Sequence, residues 1–315
     1  MGGRRKKGRK VSGWIVLDKD YDMGSTEAVS KVRWLFQAQK AGHAGTLDPL
    51  ATGILPIALG EATKAVPYVM EAQKTYQFTA QWGVSTTTDD KEGEIIATSD
   101  KLPSQAEIEA ILDDFIGEIE QIPPQFSAVK INGQRAYDLA RNGEQVEIEP
   151  RTITVHDLKI IDFPSADQCV FEAQTGKGTY VRALVRDIAK KLGTQGHIIS
   201  LRRSSVGPFH EENAIKISDL EKYDAPDESE FCDRDECLEG IELALRDMAS
   251  TSIDGPQAHK LRHGQAAIAT PAQAKGLRGE QSGVIDGVLA TLHGEAVAIC
   301  QLDGLKLLPI RVFNL

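Results

Sequence analysis

The stretch that most restricts the fold is residues 41–60, AGHAGTLDPLATGILPIALG, because it places one full charge, on Asp48, among small and aliphatic residues. Its glycines, Gly42, Gly45 and Gly53, allow positive φ angles or close backbone approach, and an aspartate followed by proline favours a turn. The carboxylate therefore either caps its own backbone or belongs to a functional site. Composition alone favours the cap, because aspartate is common in such turns.

A second glycine-rich stretch, GKGTYVRALVRD at residues 176–187, enters a segment with apolar residues at helical spacing. Thr179 and Tyr180 lie at the helix entry, and Arg182 falls in the first turn. Cations are disfavoured at a helix N-terminus because of the helix dipole. Arg182 therefore either binds an anion, such as a carboxylate or a phosphate, or faces solvent.

Length and composition indicate a soluble globular protein of two domains. The chain has 315 residues, of which 41% are hydrophobic and 26% are charged, and both values are ordinary for such proteins. No apolar run approaches the roughly 18 residues that cross a bilayer. The basic start, MGGRRKKGRK, is not followed by the apolar core of a secretory signal. With only four scattered cysteines, a disulfide scaffold is not expected, and we predict a cytoplasmic protein.

The distribution of charge permits a nucleic-acid partner despite the net charge of -10. Residues 211–240 hold twelve acidic and three basic side chains, which leaves the rest of the chain close to neutral. The first ten residues carry six basic side chains, and residues 178–209 carry six against one acidic side chain. Such local patches can attract a polyanion whatever the total charge. For the N-terminal tail alone, a solvated basic run is an equally good interpretation.

Residue patterns predict strands and helices without a regular βαβ repeat. Alternation over residues 73–82 predicts a half-buried strand, and Ser25 or Thr26 is expected to cap an early helix. The remaining elements are predicted as a strand at 13–19, a helix that follows the capping box Ser104–Glu107 with Ile108, Ile111, Leu112 and Phe115 on one face, strands at 151–163 and 168–174, a helix at 181–192, a short helix that ends near His263–Gly264, and short strands at 265–269, 284–292, 295–302 and 305–313. This order is typical of an α+β fold with a C-terminal all-β module.

Several common catalytic motifs are absent from the sequence. It contains no phosphate-binding P-loop, no GxGxxG, no HExxH and no GxSxG. Cys232 and Cys237 have no matching second pair, and His259 and His263 share a helical face without a third ligand. We therefore expect no nucleotide, metal or redox cofactor.

Six sequence segments follow one another in a recognisable order. They are GHAGTLDPLATGILP (42–56), GEATK (60–64), KTYQF (74–78), PPQFSAVKINGQRAYDLAR (123–141) and GKGTYVRAL (176–184) with LRRSSVGPF (201–209). In this order they resemble the motifs of the bacterial TruB family, whose members make pseudouridine in tRNA. The resemblance covers residues 13–217, whereas the C-terminal module is similar to the PUA domain of that family in position and pattern only. Asp20 stands where the family usually has proline, Ala44 where threonine is common, and Gln174–Gly176 where Cys-Ser often occurs.

The resemblance implies a domain organisation for the whole chain. A pseudouridine-synthase catalytic domain, with a mixed and largely antiparallel sheet flanked by helices, would occupy residues 13–245 after a basic tail at 1–12. An RNA-gripping insertion at 122–152 and an acidic connector at 211–240 would belong to it. A small PUA-like β-barrel would then occupy residues 250–315 and bind RNA.

The resemblance also assigns roles to individual residues. Asp48 would be the catalytic aspartate, shut away from water and neutralised by Arg182. Tyr76 would stack on the uracil and take part in proton transfer, although its alternating strand neighbours are also consistent with simple core packing. The substrate-binding residues implied by the family motifs are His43, Lys64, Tyr180 and Leu201.

The implied reaction is the isomerisation of the T-loop uridine at conventional tRNA position 55, without guide RNA, metal, cofactor or membrane, by a monomeric intramolecular transferase. Asp48 would either attack C1′ or accept a proton from the sugar. One alternative is a non-catalytic RNA-binding or tRNA-folding protein on the same scaffold. A glycoside hydrolase would need two carboxylates flanking the bond, and no second acid is found in a comparable sequence frame.

Overall fold

The computed structural model describes residues 8–127, 129–131, 134–135, 148–223, 233–278 and 283–315. Three predicted segments lie partly outside the described residues, namely the basic tail, the insertion at 122–152 and the acidic connector.

The strands, numbered in chain order, are β1 (Gly13–Lys19), β2 (Ala41–His43), β3 (Ala51–Leu59), β4 (Lys74–Trp82), β5 (Val84–Thr86), β6 (Ile95–Thr98), β7 (Gly117–Gln121), β8 (Lys130–Ile131), β9 (Gln134–Arg135), β10 (Arg151–Ser165), β11 (Gln168–Thr175), β12 (Gly196–Val206), β13 (Phe209–His210), β14 (Ser250–Ser252), β15 (Ala267–Ile268), β16 (Ile285–Leu292), β17 (Glu295–Asp303) and β18 (Lys306–Val312). The helices are α1 (Ser25–Leu35), α2 (Val66–Glu71), α3 (Gln105–Glu109), α4 (Val181–Lys191), α5 (Ile217–Leu220), α6 (Gly255–Arg262) and α7 (Pro271–Arg278). Short 3-10 helices occur at Gly60–Lys64, Leu112–Phe115, Glu211–Asn213, Asp233–Cys237 and Ile241–Leu245.

A large mixed sheet forms the N-terminal part of the structure. Its strands follow the order β1-β3-β12-β4-β11-β10-β7, with β2 added to β3 and β13 added to β12. Among the described strands of this sheet, only β3 and β12 pair in parallel. The prediction of an α+β fold with a mixed, largely antiparallel sheet is therefore confirmed.

Strand β4 follows the predicted alternation. Tyr76, Phe78, Ala80 and Trp82 are buried, and the residues between them are half-buried or exposed. Phe78 stacks on Phe171 of β11, with ring centroids 5.4 Å apart. Apolar residues of α1, α3 and α4 cover this face of the sheet and form the larger hydrophobic core with it. Each large apolar side chain that is fully buried there contributes about 1.5–3 kcal/mol to the free energy of unfolding.

Two helices begin or end differently from the prediction. The N-cap of α1 is Gly24 rather than Ser25 or Thr26, because the Ser25 hydroxyl is bonded to the backbone of Leu47 instead. The capping box of α3 forms as predicted, with Ser104 accepting from the backbone N–H of Glu107. That helix ends at Glu109, so its predicted continuation towards residue 115 is wrong.

The C-terminal residues form a separate five-stranded sheet in the order β14-β16-β17-β18-β15. Strands β14 and β16 are parallel, and the other pairs are antiparallel. Helices α6 and α7 pack beside this sheet and contribute Leu261 and Ala274 to its core. Helix α7 and strand β14 were not predicted from the sequence.

The C-terminal residues pack against the part of the structure that contains the large mixed sheet. Phe313 is only 1% exposed and belongs to the same hydrophobic cluster as Trp14 of β1 and Phe209 of β13. Glu61 accepts a hydrogen bond from the backbone N–H of Asn314 at 2.8 Å. The two sheets therefore share a packed and hydrogen-bonded contact.

Among the helices that the structure describes, none is long and apolar enough to span a membrane.

Candidate active site

A cavity of about 530 Å³ opens where strands β3, β4 and β12 meet the start of helix α4. Asp48, Tyr76, Tyr180, Arg182 and Leu201 all line it. The structure therefore brings together five of the seven residues singled out in the sequence, and their mutual arrangement defines the candidate active site.

Strand pairing explains why residues far apart in sequence meet here. Strand β12 lies between β3 and β4, with Leu201 opposite Ala51 in the parallel pair and Arg203 opposite Tyr76 in the antiparallel pair. Asp48 lies in the turn just before β3, so it reaches the same end of the sheet.

The entry of helix α4 is held by a residue of β7. The buried side chain of Gln121 accepts from the backbone N–H of Tyr180 at 2.8 Å and donates to its carbonyl at 3.2 Å. This side chain replaces a conventional cap, since the Tyr180 side chain makes no cap hydrogen bond itself. It thereby fixes the first turn of the helix and the position of Arg182.

The Asp48 carboxylate and the Arg182 guanidinium form an ion pair, with Nη2 of Arg182 2.8 Å from Oδ2 of Asp48. The Arg182 side chain is 6% exposed, whereas that of Asp48 is 40% exposed. The predicted pairing is confirmed. The expectation that Asp48 is shut away from water is wrong for this structure, because its carboxylate faces the open cavity while only the cation is buried.

Arg182 has further partners, and they explain why a cation is tolerated in a helical first turn. Its Nη1 donates to the carbonyl of Thr88 at 2.9 Å and lies 3.4 Å from a carboxylate oxygen of Asp90. Its Nη2 donates to the carbonyl of Phe126 at 3.0 Å. A guanidinium can serve several acceptors at once because its donors form a rigid planar fork. Of the two interpretations of Arg182 left open by the sequence, the anion-binding one is therefore correct.

Asp90 is a site residue that sequence reasoning missed. It lies in the TTTDD turn at residues 86–90, is 8% exposed, and lines a small side pocket together with Asp48 and Arg182. One of its carboxylate oxygens accepts from the backbone N–H of Glu92 at 3.1 Å. A second acid, although in no sequence frame comparable to that of Asp48, therefore shares Arg182 with it. A polar turn after an apolar strand was the available signal, but nothing in the sequence indicated its proximity to Arg182.

Arg203 fixes the backbone of the turn that carries Asp48. It is 1% exposed, and its guanidinium donates to the carbonyls of Ile54 at 2.7 Å, Gly45 at 3.0 Å and Thr46 at 3.4 Å. Gly53 must be glycine at this contact, because its φ is +97° and an added Cβ would lie 2.2 Å from the carbonyl oxygen of Arg203.

Two buried polar side chains hold the turn from the other side. Ser25 donates to the carbonyl of Leu47 at 2.8 Å and accepts from its backbone N–H at 2.9 Å. Lys19 donates from Nζ to the carbonyls of Met23 and Pro49, at 2.8 and 3.2 Å. Burial lowers the pKa of Lys19 to about 8, an effect that attraction to the Asp48 carboxylate partly opposes. The turn is therefore rigid on both sides of Asp48.

Tyrosine and leucine side chains form walls of the cavity. Tyr76 is 9% exposed, so its ring belongs both to the core and to the cavity wall. Burial raises the pKa of the Tyr180 hydroxyl above its usual value. Leu201 is half-buried and supplies apolar surface between the main cavity and its side pocket.

His43 and Lys64 are not among the residues that line the cavity. His43 is half-buried in β2, and its Nδ1 has no hydrogen-bond partner among the described residues. Burial and, less strongly, the positive charge of Arg203 lower its pKa. Lys64 donates to the Glu61 carboxylate at 2.6 Å and to the Val312 carbonyl at 2.7 Å. It therefore binds the C-terminal segment, and the expectation that it lies near the pocket is corrected.

The site offers a reachable carboxylate, fixed by a buried cation, beside a tyrosine ring and apolar surface. Such a carboxylate can stabilise positive charge that develops on carbon, attack that carbon, or accept a proton. The described residues include no cluster of three or more histidine, cysteine, aspartate or glutamate side chains that could hold a metal ion.

Comparison with protein families gives matches over most of the chain. A family model described as TruB family pseudouridylate synthase, N-terminal domain, matches residues 33–181. A model described as tRNA pseudouridylate synthase B C-terminal domain matches residues 182–246.

Curated relatives are similar over almost the entire length. The tRNA pseudouridine synthase B of Caulobacter vibrioides is 51% identical over 314 residues, which cover 99% of both chains. The protein of the same name from Agrobacterium fabrum is 48% identical over 318 residues, covering 99% of this chain and 97% of that protein.

Solved structures share the fold. The first, a crystal structure of a Cbf5-Nop10-Gar1 complex, matches with a TM-score of 0.69 and 25% identity, over 96% of this chain and 85% of that chain. The second, an H/ACA RNP bound to a substrate RNA containing 2'-deoxyuridine, matches with a TM-score of 0.71 and 21% identity, over 100% of this chain and 92% of that chain. The latter similarity concerns the fold alone.

Proposed function

Because this chain belongs to the TruB family of pseudouridylate synthases, we propose that it is a tRNA pseudouridine synthase that converts the T-loop uridine at conventional position 55. The observation that carries the proposal is the ion pair between Asp48 and the buried Arg182 in a cavity whose wall includes Tyr76.

The proposed reaction exchanges one glycosidic bond for another. The N1–C1′ bond of uridine breaks, the uracil turns within the cavity, and a C5–C1′ bond forms. The proton on C5 is then released and N1 ends protonated, so that atoms and charge balance without a redox step. Asp48 either attacks C1′ and leaves again or accepts a proton from the sugar. In both cases Arg182 holds the Asp48 carboxylate in place.

The target base must leave its stack in the RNA before it can reach Asp48. Extruding a nucleotide costs a few kcal/mol, and stacking on an aromatic ring returns about 1–3 kcal/mol. We propose that the ring of Tyr76 stacks on the uracil, while Tyr180 and Leu201 form other walls of the same cavity. We propose that His43, which ends β2 ahead of Asp48 and has a lowered pKa, is a neutral partner for the RNA loop.

The proposed substrate is the folded T-arm and elbow of tRNA, recognised largely by shape and phosphate contacts. We propose that no guide RNA is required and that the protein acts as a monomer in the cytoplasm. The sheet formed by β14–β18 is proposed to be a PUA-like RNA-binding module. Lys64 is proposed to affect RNA binding through the docking of this module, in view of its bond to Val312.

Release of tritium from tRNA labelled at C5 tests the proposal directly, because only isomerisation removes that hydrogen. The wild-type protein should release tritium, and Asp48→Asn should bind tRNA with little change while releasing none. A wild-type protein that binds tRNA without releasing tritium would instead support a non-catalytic RNA-folding role.

A further inference from the structure

The mouth of the cavity carries positive charge that the reaction proposed above does not use. Arg151, the first residue of β10, and Lys177, in the loop between β11 and α4, line the same cavity as Asp48. The side chain of Arg151 is exposed, and it forms no ion pair with another residue that the structure describes. It lies close enough to Tyr180 to act on the pKa of that hydroxyl. An accessible cation therefore stands beside the substrate space.

Lys177 is held at the mouth by an acidic residue that also lines the cavity. Its Nζ lies 2.6 Å from Oε2 of Glu71, the last residue of α2, and the two side chains are 65% and 61% exposed. An ion pair this exposed contributes little to stability, because water and salt screen it. A stronger anion can therefore replace the Glu71 carboxylate at little cost.

The loop that carries Lys177 is anchored at its base and open at its tip. The backbone N–H of Gly176 donates to the carbonyl of Thr154 at 2.8 Å. Gly178 has a φ of +80°, and a Cβ built there would meet no heavy atom within 4 Å. Because the Lys177 side chain is itself 65% exposed, it can turn from Glu71 towards a ligand in the cavity mouth.

We propose that Arg151 and Lys177 form a phosphate subsite for the RNA backbone beside the extruded nucleotide. Glu71 forms an ion pair with Lys177 until the RNA phosphate displaces its carboxylate. The inference rests on the proposed function and adds a binding site to it. A nucleotide whose base lies against Asp48 and Tyr76 has its flanking phosphodiester at the mouth, where these cations stand. Glu71 is thus a built-in competitor of the RNA phosphate.

The test measures the affinity of the full-length protein for a T-arm stem-loop RNA at several salt concentrations, beside tritium release from labelled tRNA. Arg151→Ala and Lys177→Ala should each weaken binding about three- to tenfold at 0.1 M salt. Each should also reduce the slope of log K against log salt by about 0.7–0.9, which is the value for one lost phosphate contact. The loss should lie in Kd and KM rather than in kcat.

Glu71→Gln provides the sharper result, because removing an acidic residue near an active site is expected here to strengthen RNA binding. The gain should be about two- to fivefold, and it should disappear in the double variant Glu71→Gln with Lys177→Ala. Lys159→Ala is the matched control, since Lys159 lies on β10, pairs with Glu172 at 2.7 Å and is not among the cavity residues. Its RNA affinity should equal that of the wild type.

Weaker or unchanged binding by Glu71→Gln, or Arg151 and Lys177 variants that bind like the Lys159 control, would overturn the subsite. Tritium release by the wild type reports separately on the proposed function. A wild type that binds the stem-loop but releases no tritium would contradict the isomerase, while the variant affinities would still decide whether the phosphate subsite exists.

Discussion

Arg182 and Asp48 form an ion pair in which the cation is buried and the anion is accessible, with side-chain exposures of 6% and 40%. The guanidinium is held by two backbone carbonyls and by Asp90 as well as by Asp48. Because Arg182 cannot move without breaking these bonds, it keeps the Asp48 carboxylate fixed while leaving its other side open to a substrate. The pair therefore combines rigidity with access.

Arg182→Lys should reduce kcat at least a hundredfold while changing tRNA affinity only slightly. A lysine keeps the charge, but its single ammonium cannot reach two carboxylates and two carbonyls in a planar arrangement. Single-turnover tritium release and filter binding on the same samples would separate the two effects. Arg186→Lys is the matched control, since Arg186 lies one turn further along α4 and pairs with Asp89 at 3.1 Å and Asp187 at 2.9 Å. Equal losses of kcat in both variants would contradict the role assigned to Arg182.

Ser25→Ala should lower both stability and turnover although Ser25 lies outside the cavity. Its hydroxyl is the partner of both the N–H and the carbonyl of Leu47, next to Asp48. Leaving buried backbone groups unpaired costs about 1–3 kcal/mol, and a looser turn misplaces the carboxylate. Urea unfolding and kcat would be measured together.

Ser30→Ala is the control for the Ser25 variant. Ser30 lies on the same helix, and its hydroxyl donates to the Thr26 carbonyl at 2.9 Å on the exposed side. We expect this variant to keep wild-type kcat and nearly wild-type stability. If Ser25→Ala loses stability but retains full kcat at saturating tRNA, the turn does not depend on Ser25 for its active geometry.

The sequence predicted elements better than it predicted proximity between them. Alternation along β4 and helical spacing along α4 follow from local patterns, so those elements were found at nearly their observed bounds. Motif resemblance placed Asp48, Tyr76, Tyr180, Arg182 and Leu201 at the site, and the cavity contains all five. Asp90 was missed because its nearness to Arg182 depends on how the β5–β6 turn lies against α4.

The predictions for Ser25 and Lys64 were also wrong because of tertiary contacts. Ser25 has the residue type of a helix cap, yet a partner from another segment takes its hydroxyl. Lys64 lies in a motif associated with the pocket, yet its neighbours in space are Glu61 and the carbonyl of Val312. In each case the side chain bonds a backbone group distant in sequence, Leu47 for Ser25 and Val312 for Lys64. The local sequence carries no signal for such a contact.

Phe313→Ala should destabilise the part of the molecule that contains the large mixed sheet as well as the C-terminal sheet. The Phe313 ring is 1% exposed and belongs to the cluster that contains Trp14 and Phe209. Removal of a buried phenylalanine ring costs about 3–5 kcal/mol through lost burial and the cavity left behind. Urea unfolding followed by tryptophan fluorescence would report on this core. Leu315→Ala is the control, since Leu315 is 60% exposed, and it should unfold like the wild type.

His43 should make the protein less stable as the pH falls below about 6.5. Burial and the charge of Arg203 lower the pKa of its imidazole from the usual 6.5, so the folded state disfavours the protonated form. Between the lowered pKa and 6.5 the unfolded chain binds more protons than the folded chain, and the free energy of unfolding therefore decreases with falling pH. The slope from this one group cannot exceed about 1.4 kcal/mol per pH unit.

The comparison of wild type with His43→Asn isolates this effect. Urea unfolding between pH 5 and 8 should show that the wild type loses stability relative to the variant below pH 6.5, and that their difference is constant above it. The titration of the His43 imidazole, followed by NMR in the folded protein, should have its midpoint below 6.5. A midpoint at or above 6.5 would mean that Arg203 and burial do not keep the ring neutral. His43 would then be partly protonated near neutrality, and RNA affinity would change with pH there.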